Sequence, residues 1–308
     1  MYIHGLRTLL SFVGFWALFI FFGLSMVKIW LVPSQAFAIP ELFSRWRQML
    51  NESLVLMTFA AVAILLVRTA DMDDGSMLEV LSDLPVVLTR THFGSVWSAH
   101  LATLFVLWAC CSLLSADSSS RRWAAVVIAA MGVLSLTYSA SSHASDEGDF
   151  TLAELNDWIH LVSTAVWGGA IFASTLLVFP MLRTQDAVIS EVAIRVSNVA
   201  SAALPIVLLT GIYNTFLRLP NWQALTATNY GRVLSVKLAI VGAVALIGAF
   251  NRFVVIPRIR RGAADGFLGV QAPLRLIFRA LIVDVAFVVT AIIVAAILVQ
   301  SEPAVPAP

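Results

Sequence analysis

Residues 143–167 read HASDEGDFTLAELNDWIHLVSTAVW and hold two of the chain's five histidines beside a run of acids. Imidazole binds copper, zinc, iron or nickel, and carboxylates or methionine sulfur tune which of these is preferred. Asp157 stands one helical turn before His160 and Thr164 one turn after, so the three share a face. From there Asp157 could accept the second ring N–H of His160 and orient it. A second acidic stretch, DMDDGSMLEVLSD, carries Asp71, Asp73 and Asp74 with Met72 and Met77 among them. Read as a loop, it would concentrate cations at one face, as would Asp146 and Glu147. His92 and His100 are eight apart, which on a helix means about 80° in direction and about 12 Å in height. They cannot chelate one ion from a single helix, so a site must form between helices. The depths suggest two tiers, with His92, His143 and His4 at a mouth and His100 and His160 deeper. The chemistry this points to is capture of a metal ion. Histidines at matched depth on neighbouring helices also suit bis-imidazole ligation of haem b, with His100 and His160 as the pair, which is the alternative reading.

The elements that must position these groups are membrane helices. Of 308 residues, 60% are hydrophobic and 12% charged, and mean hydropathy is +0.91; an ordinary soluble domain is about a quarter charged. Apolar runs at 9–31, 53–69, 92–114, 122–142, 155–180, 196–217, 231–252 and 277–299 are each long enough to span a bilayer. No ten-residue alternation suggests a barrel. The expected fold is all-α, a polytopic bundle of about eight transmembrane helices forming a single domain over 1–308. Ala36-Phe37-Ala38 resembles a signal-peptide cleavage site, but the first span is longer than the usual apolar region of about 7–15 residues.

Lysine and arginine set the orientation. Thirteen of them, among them Arg45, Arg121, Arg183 and Arg258, flank the ends of the odd-numbered spans, against five (Arg7, Arg68, Arg90, Arg218 and Arg232) on the opposite side. Both termini are therefore expected to face the periplasm of a bacterial inner membrane, and all five histidines then fall in the outer half. The basic segment 253–276 reads as a cytoplasmic loop lying on anionic lipid.

Other residues carry less. Adjacent Cys110 and Cys111 have no spacing for a disulfide or a thiolate site. Trp97, Trp158 and Trp167 read as interfacial anchors. Gly168-Gly169 favours close helix packing. Lys237 and Asp284 are ionisable residues within spans; they differ too much in depth to pair, and Asp284 is placed to meet Arg252 or Arg279. Met57 and Met131 read as packing. No hydrolytic or phosphate-binding motif is present, and nothing in the chain fits nucleic acid. The lipid bilayer is the expected surrounding.

NDWIHLVSTAVWGGAIF, followed by ALPIVLLTGIYNTFLRL, YGRVLSVKLAIVGAVALIGAFNR and the acid at Asp284, resembles the CopD family of bacterial inner-membrane copper proteins. HFGSVW at the start of the third span fits as well, and the resemblance is strongest over 92–300. It implies copper uptake from the periplasm toward the cytoplasm, or copper resistance, beside a small periplasmic carrier of the CopC type. It implies a transporter rather than an enzyme, with His143 and His160 as copper ligands. One departure is His100, which stands where the resemblance would place an arginine.

Overall fold

The computed structural model describes residues 2–73, 77–113, 121–142, 148–266 and 269–301. His143, Asp74, Asp146 and Glu147 lie outside the described residues, as do the side chains of His4, Met72, Asp73 and Met77.

The chain folds as α1 (Tyr2–Met26), α2 (Pro40–Asp73), α3 (Met77–Arg90), α4 (His92–Ser112), α5 (Arg121–Ser139), α6 (Leu152–Ala173), α7 (Phe179–Leu182), α8 (Asp186–Arg218), α9 (Ala224–Ala227), α10 (Asn229–Phe250), α11 (Ile256–Ala264) and α12 (Gln271–Val299). No strand occurs among the described residues. Among the described residues eight helices are long and apolar enough to cross a membrane, as the sequence suggested. Three of them run through a widened π-turn, at Val27–Leu31, Ser174–Val178 and Asn251–Val255.

Several boundaries differ from the hydropathy reading. The second span begins at Pro40, because Leu42, Trp46 and Leu50 are buried and carry the helix inward beyond its most apolar part. The sixth begins at Asp186. The segment expected as a loop after the seventh span instead continues that helix through a π-turn and α11, where Val255, Ile256 and Ile259 are buried. The described part of the acidic stretch 71–83 is helical rather than loop. It ends α2 and starts α3, a helix held by Val80 and Val87 on its buried face while Leu81 and Val86 stay exposed.

At the histidine-bearing end three helices begin on threonine caps. Thr91 accepts from Gly94 N at 2.9 Å, Thr151 from Glu154 N at 3.2 Å, and Thr228 from Gly231 N at 2.9 Å. Each hydroxyl satisfies an amide that the helix leaves without a partner. Two of these caps need glycine, since a Cβ on Gly94 or Gly231 would overlap the Val87 or Ala224 carbonyl.

The core is organised on α1, which packs on α2, α6 and α12, while α6 also packs on α8. The expectation of close packing at Gly168-Gly169 holds. A Cβ on Gly169 would lie 2.4 Å from Phe19 O, and one on Gly23 would lie 1.9 Å from Gly169 O. The two helices thus meet backbone to backbone. In contrast, α10 packs along α12 and meets α8 over only a short stretch.

Candidate functional site

Between α1, α6, α8, α10 and α12, toward the histidine-bearing end, lies a cavity of about 810 Å³. Phe15, Phe19, Trp167 and Val288 form its apolar depth, and Asp157, His160, Lys237 and Arg218 stand on its wall.

His160 reaches the wall from the third turn of α6. Its Nδ1 lies 2.9 Å from Thr210 Oγ1 on α8. That hydroxyl is 2.6 Å from the Ile206 carbonyl, which can only accept. A hydroxyl has one proton, so both contacts are satisfied when Thr210 donates to the carbonyl and accepts from Nδ1–H. Nε2 is then left with its lone pair, the form that binds a metal. Gly211 makes room for the ring, since a Cβ there would sit 3.3 Å from His160 Cε1. The residue that orients His160 is therefore Thr210, not Asp157 as the shared helix face suggested. Asp157 is occupied elsewhere. Its Oδ2 accepts from Ser139 at 3.1 Å and from Ser142 at 3.4 Å, and its Oδ1 from Asn214 at 3.3 Å. Thr164 donates to the His160 carbonyl.

His100 repeats the pattern on α4. Its Nδ1 lies 2.8 Å from Thr137 Oγ1, whose proton goes to the Leu134 carbonyl at 2.7 Å. The ring is stacked on Trp97 with centroids 4.5 Å apart and meets Tyr138 edge-on at 4.9 Å. It is fully buried, and Nε2 has no hydrogen-bond partner. The neighbouring Tyr138 hydroxyl is likewise buried without a partner. Trp97 is thus no interfacial anchor: it is buried and donates to the Ala61 carbonyl at 2.9 Å. Trp167 too is buried, against the cavity.

His92 is half exposed, with Nε2 2.7 Å from Asp149 Oδ1. Asp71 pairs with Arg7 at 3.0 Å. Asp284 does not meet the arginines expected for it: Arg252 donates to Asn198 at 2.7 Å, and Asp284 Oδ1 is buried with no hydrogen-bond partner. Met57 and Met131 are buried in the core. Among the described residues no three histidine, cysteine or acidic side chains converge as a metal cage. His160 and His92 share the cavity wall; His100 lies behind Tyr138 and is absent from it. Bis-imidazole haem ligation by His100 and His160 does not fit, because the two rings do not face one space.

Sequence reasoning missed the positive lining. Arg7, Arg68, Arg218 and Lys237 all reach the cavity, whereas Asp157 is its one carboxylate among the described residues. The signal was present in the sequence as Arg7, Arg68 and Arg218 at the ends of apolar spans, with Lys237 inside one.

Residues 3–152 match the family described as copper resistance protein D-like, N-terminal domain, and residues 190–298 match copper resistance protein D. The chain belongs to the copper resistance protein D family. Relatives in this group include the copper transport protein CutJ of Bacillus subtilis (strain 168), 29% identical over 68% of this chain. Copper resistance protein D of Pseudomonas syringae pv. tomato is 25% identical over 70% of each chain. Inner membrane protein YebZ of Escherichia coli (strain K12) is 24% identical over 82% of this chain and 85% of its own length. The chain spans only 40% of the length of CutJ. No solved structure matches it.

Proposed function

We propose that this protein moves copper from the outer face of a bacterial inner membrane toward the cytoplasm, in copper homeostasis or resistance. The observation that carries this reading is His160, whose imidazole stands on the wall of the cavity with Nδ1 tied to Thr210 and Nε2 left as the ligand atom. Family membership and the copper transport and copper resistance named for its relatives support copper as the cargo. Both termini face the periplasm, as the arginine distribution argues. In this arrangement His143, with the acids Asp146, Glu147, Asp73 and Asp74 and the sulfurs of Met72 and Met77, forms the outer capture layer, and His92 lies beside it. A small periplasmic carrier of the CopC type would deliver the ion there. His160 receives it one layer deeper. His100 is a further imidazole with an unused Nε2, reached only if Tyr138 turns aside.

Copper binding by the purified protein tests the reading. His160→Ala is expected to remove one copper or to weaken it at least tenfold, and uptake into vesicles should fall with it. Unchanged stoichiometry, affinity and uptake would sink the reading. An absorption spectrum on the same sample decides the haem alternative, since a Soret band that sharpens on reduction would identify a haem protein.

A further inference from the structure

The cavity carries more positive charge than a cation pathway calls for. Arg7, Arg68, Arg218 and Lys237 line it against Asp157 alone among the described carboxylates. Arg7 is paired with Asp71. Arg68 lies over the Phe93 ring at 4.6 Å, and neither Arg218 nor Lys237 has an ion pair within 4.0 Å among the described residues. A cleft lined by one sign of charge inside low-dielectric walls focuses its field on the opposite sign. An unpaired ammonium or guanidinium in a bilayer is costly and marks a functional group by default.

Two more features point to a ligand. Tyr138 lines the cavity, and its hydroxyl is buried with no hydrogen-bond partner, a state that calls for one. Beneath the cations the walls are apolar, formed by Phe19, Trp167 and Val288. The wall between α8 and α10 is thin because these helices scarcely touch, and Ile212 and Leu238 line the cavity there while remaining exposed. Charge at one end, apolar depth and an opening within the hydrocarbon layer describe a receptor for an amphiphile. Basic pockets between membrane helices bind anionic head groups by this logic.

We infer that the cavity binds an amphiphile with a phosphate or carboxylate head, the head held by Arg218, Lys237 and Arg68 and the apolar body laid against Phe19, Trp167 and Val288 after passing between α8 and α10. At about 810 Å³ the space lies in the upper range of small-molecule sites and takes a head with part of a chain. The occupant offsets the positive lining that would otherwise repel a metal ion next to His160. The site itself does not depend on copper.

Native mass spectrometry of the full chain released from nanodiscs tests this. Three compositions are compared: phosphatidylcholine alone, phosphatidylcholine with phosphatidylglycerol, and phosphatidylcholine with oleic acid. One anionic molecule per chain is expected to persist. Retention of phosphatidylglycerol assigns a membrane lipid, and retention of oleate alone assigns a free amphiphilic acid. Arg218→Gln with Lys237→Gln should lower retention about tenfold or more, since hydrogen bonds to charged groups are being removed. Arg183→Gln, at the opposite end and exposed, should leave it unchanged. Equal retention of phosphatidylcholine and both anionic probes overturns the inference, as does unchanged retention in the folded double variant. If that variant fails to fold, the comparison of probes on the wild-type chain decides.

Discussion

Adding one methyl group at Gly169 tests how the frame around the cavity is built. In an ordinary helix glycine-to-alanine is favourable by about 0.8–1.0 kcal/mol. Here the new Cβ would lie 2.4 Å from Phe19 O and 2.7 Å from Gly23 N, both backbone atoms that no side-chain rotation can move aside. Ordinary contact begins near 3.4 Å, so α1 and α6 would have to part by about 1 Å along their shared length. Overpacking of this kind costs about 1–3 kcal/mol. The conflict should outweigh propensity and leave Gly169→Ala about 1–2 kcal/mol less stable than wild type. Gly242→Ala is the matched control, because a Cβ there meets nothing within 4 Å, and that variant should be neutral or more stable by up to about 1 kcal/mol. The assay is thermal unfolding of the detergent-solubilised chain followed by circular dichroism, with all variants in one detergent. A Gly169→Ala chain as stable as the Gly242→Ala control would refute the backbone contact between α1 and α6.

Other perturbations separate the roles assigned above. Thr210→Val keeps the shape of the residue but removes the hydroxyl that accepts from Nδ1–H of His160, so copper affinity should fall about 10- to 100-fold, as when other orienting partners of metal ligands are removed; equal affinity in a titration would show that Thr210 does not hold the ring. Asp284→Leu removes a buried oxygen that has no hydrogen-bond partner, so thermal stability should be unchanged or higher, and a marked loss would mean that the carboxyl has a partner after all. His92→Ala with Asp149→Ala breaks a half-exposed pair and should change stability by less than about 1 kcal/mol, which the same melts read. Reversing the acids across 71–83 should slow copper uptake at low ionic strength only, because attraction between distant charges is screened over about 10 Å at 0.1 M; a deficit that persists in high salt would make those acids direct ligands.

Hydropathy reveals the eight spans because a helix in lipid must be apolar over its whole hydrocarbon length. It stops short wherever a helix runs on beyond that layer. Residues 40–51 and 186–195 mix arginine and acids with buried Leu42 and Val192, residues 253–264 set three arginines beside buried Ile259, and only the packing shows that they stay helical. The site divides in the same way. The shared face of Asp157 and His160 follows from helical spacing, and both residues do stand on the cavity wall. Their hydrogen-bond partners do not follow, because Thr210 is fifty positions away and is brought in by the packing of α8 on α6. Trp97 shows the opposite failure. Its place near a span end fits an interfacial anchor, yet α2 offers the Ala61 carbonyl and His100 offers a face to stack on, so the ring turns inward.

The π-turns in the first, fifth and seventh spans have a consequence for how this protein can change. All three helices run in the same direction, and each carries its widened turn past its midpoint, beyond the cavity. A π-turn houses one surplus residue, and one residue corresponds to about 100° of helical phase. In the fifth and seventh spans the helix continues on both sides of the turn as two segments in different phase, whereas the first span ends on its π-turn. Loss of a single residue from Ser174–Val178 would restore regular winding there while forcing one segment to rotate against its neighbours, with either His160 or Leu182 leaving its place. In these two helices the packing of the histidine-bearing end and that of the opposite end are therefore set separately, and the surplus residue is what lets both fit at once.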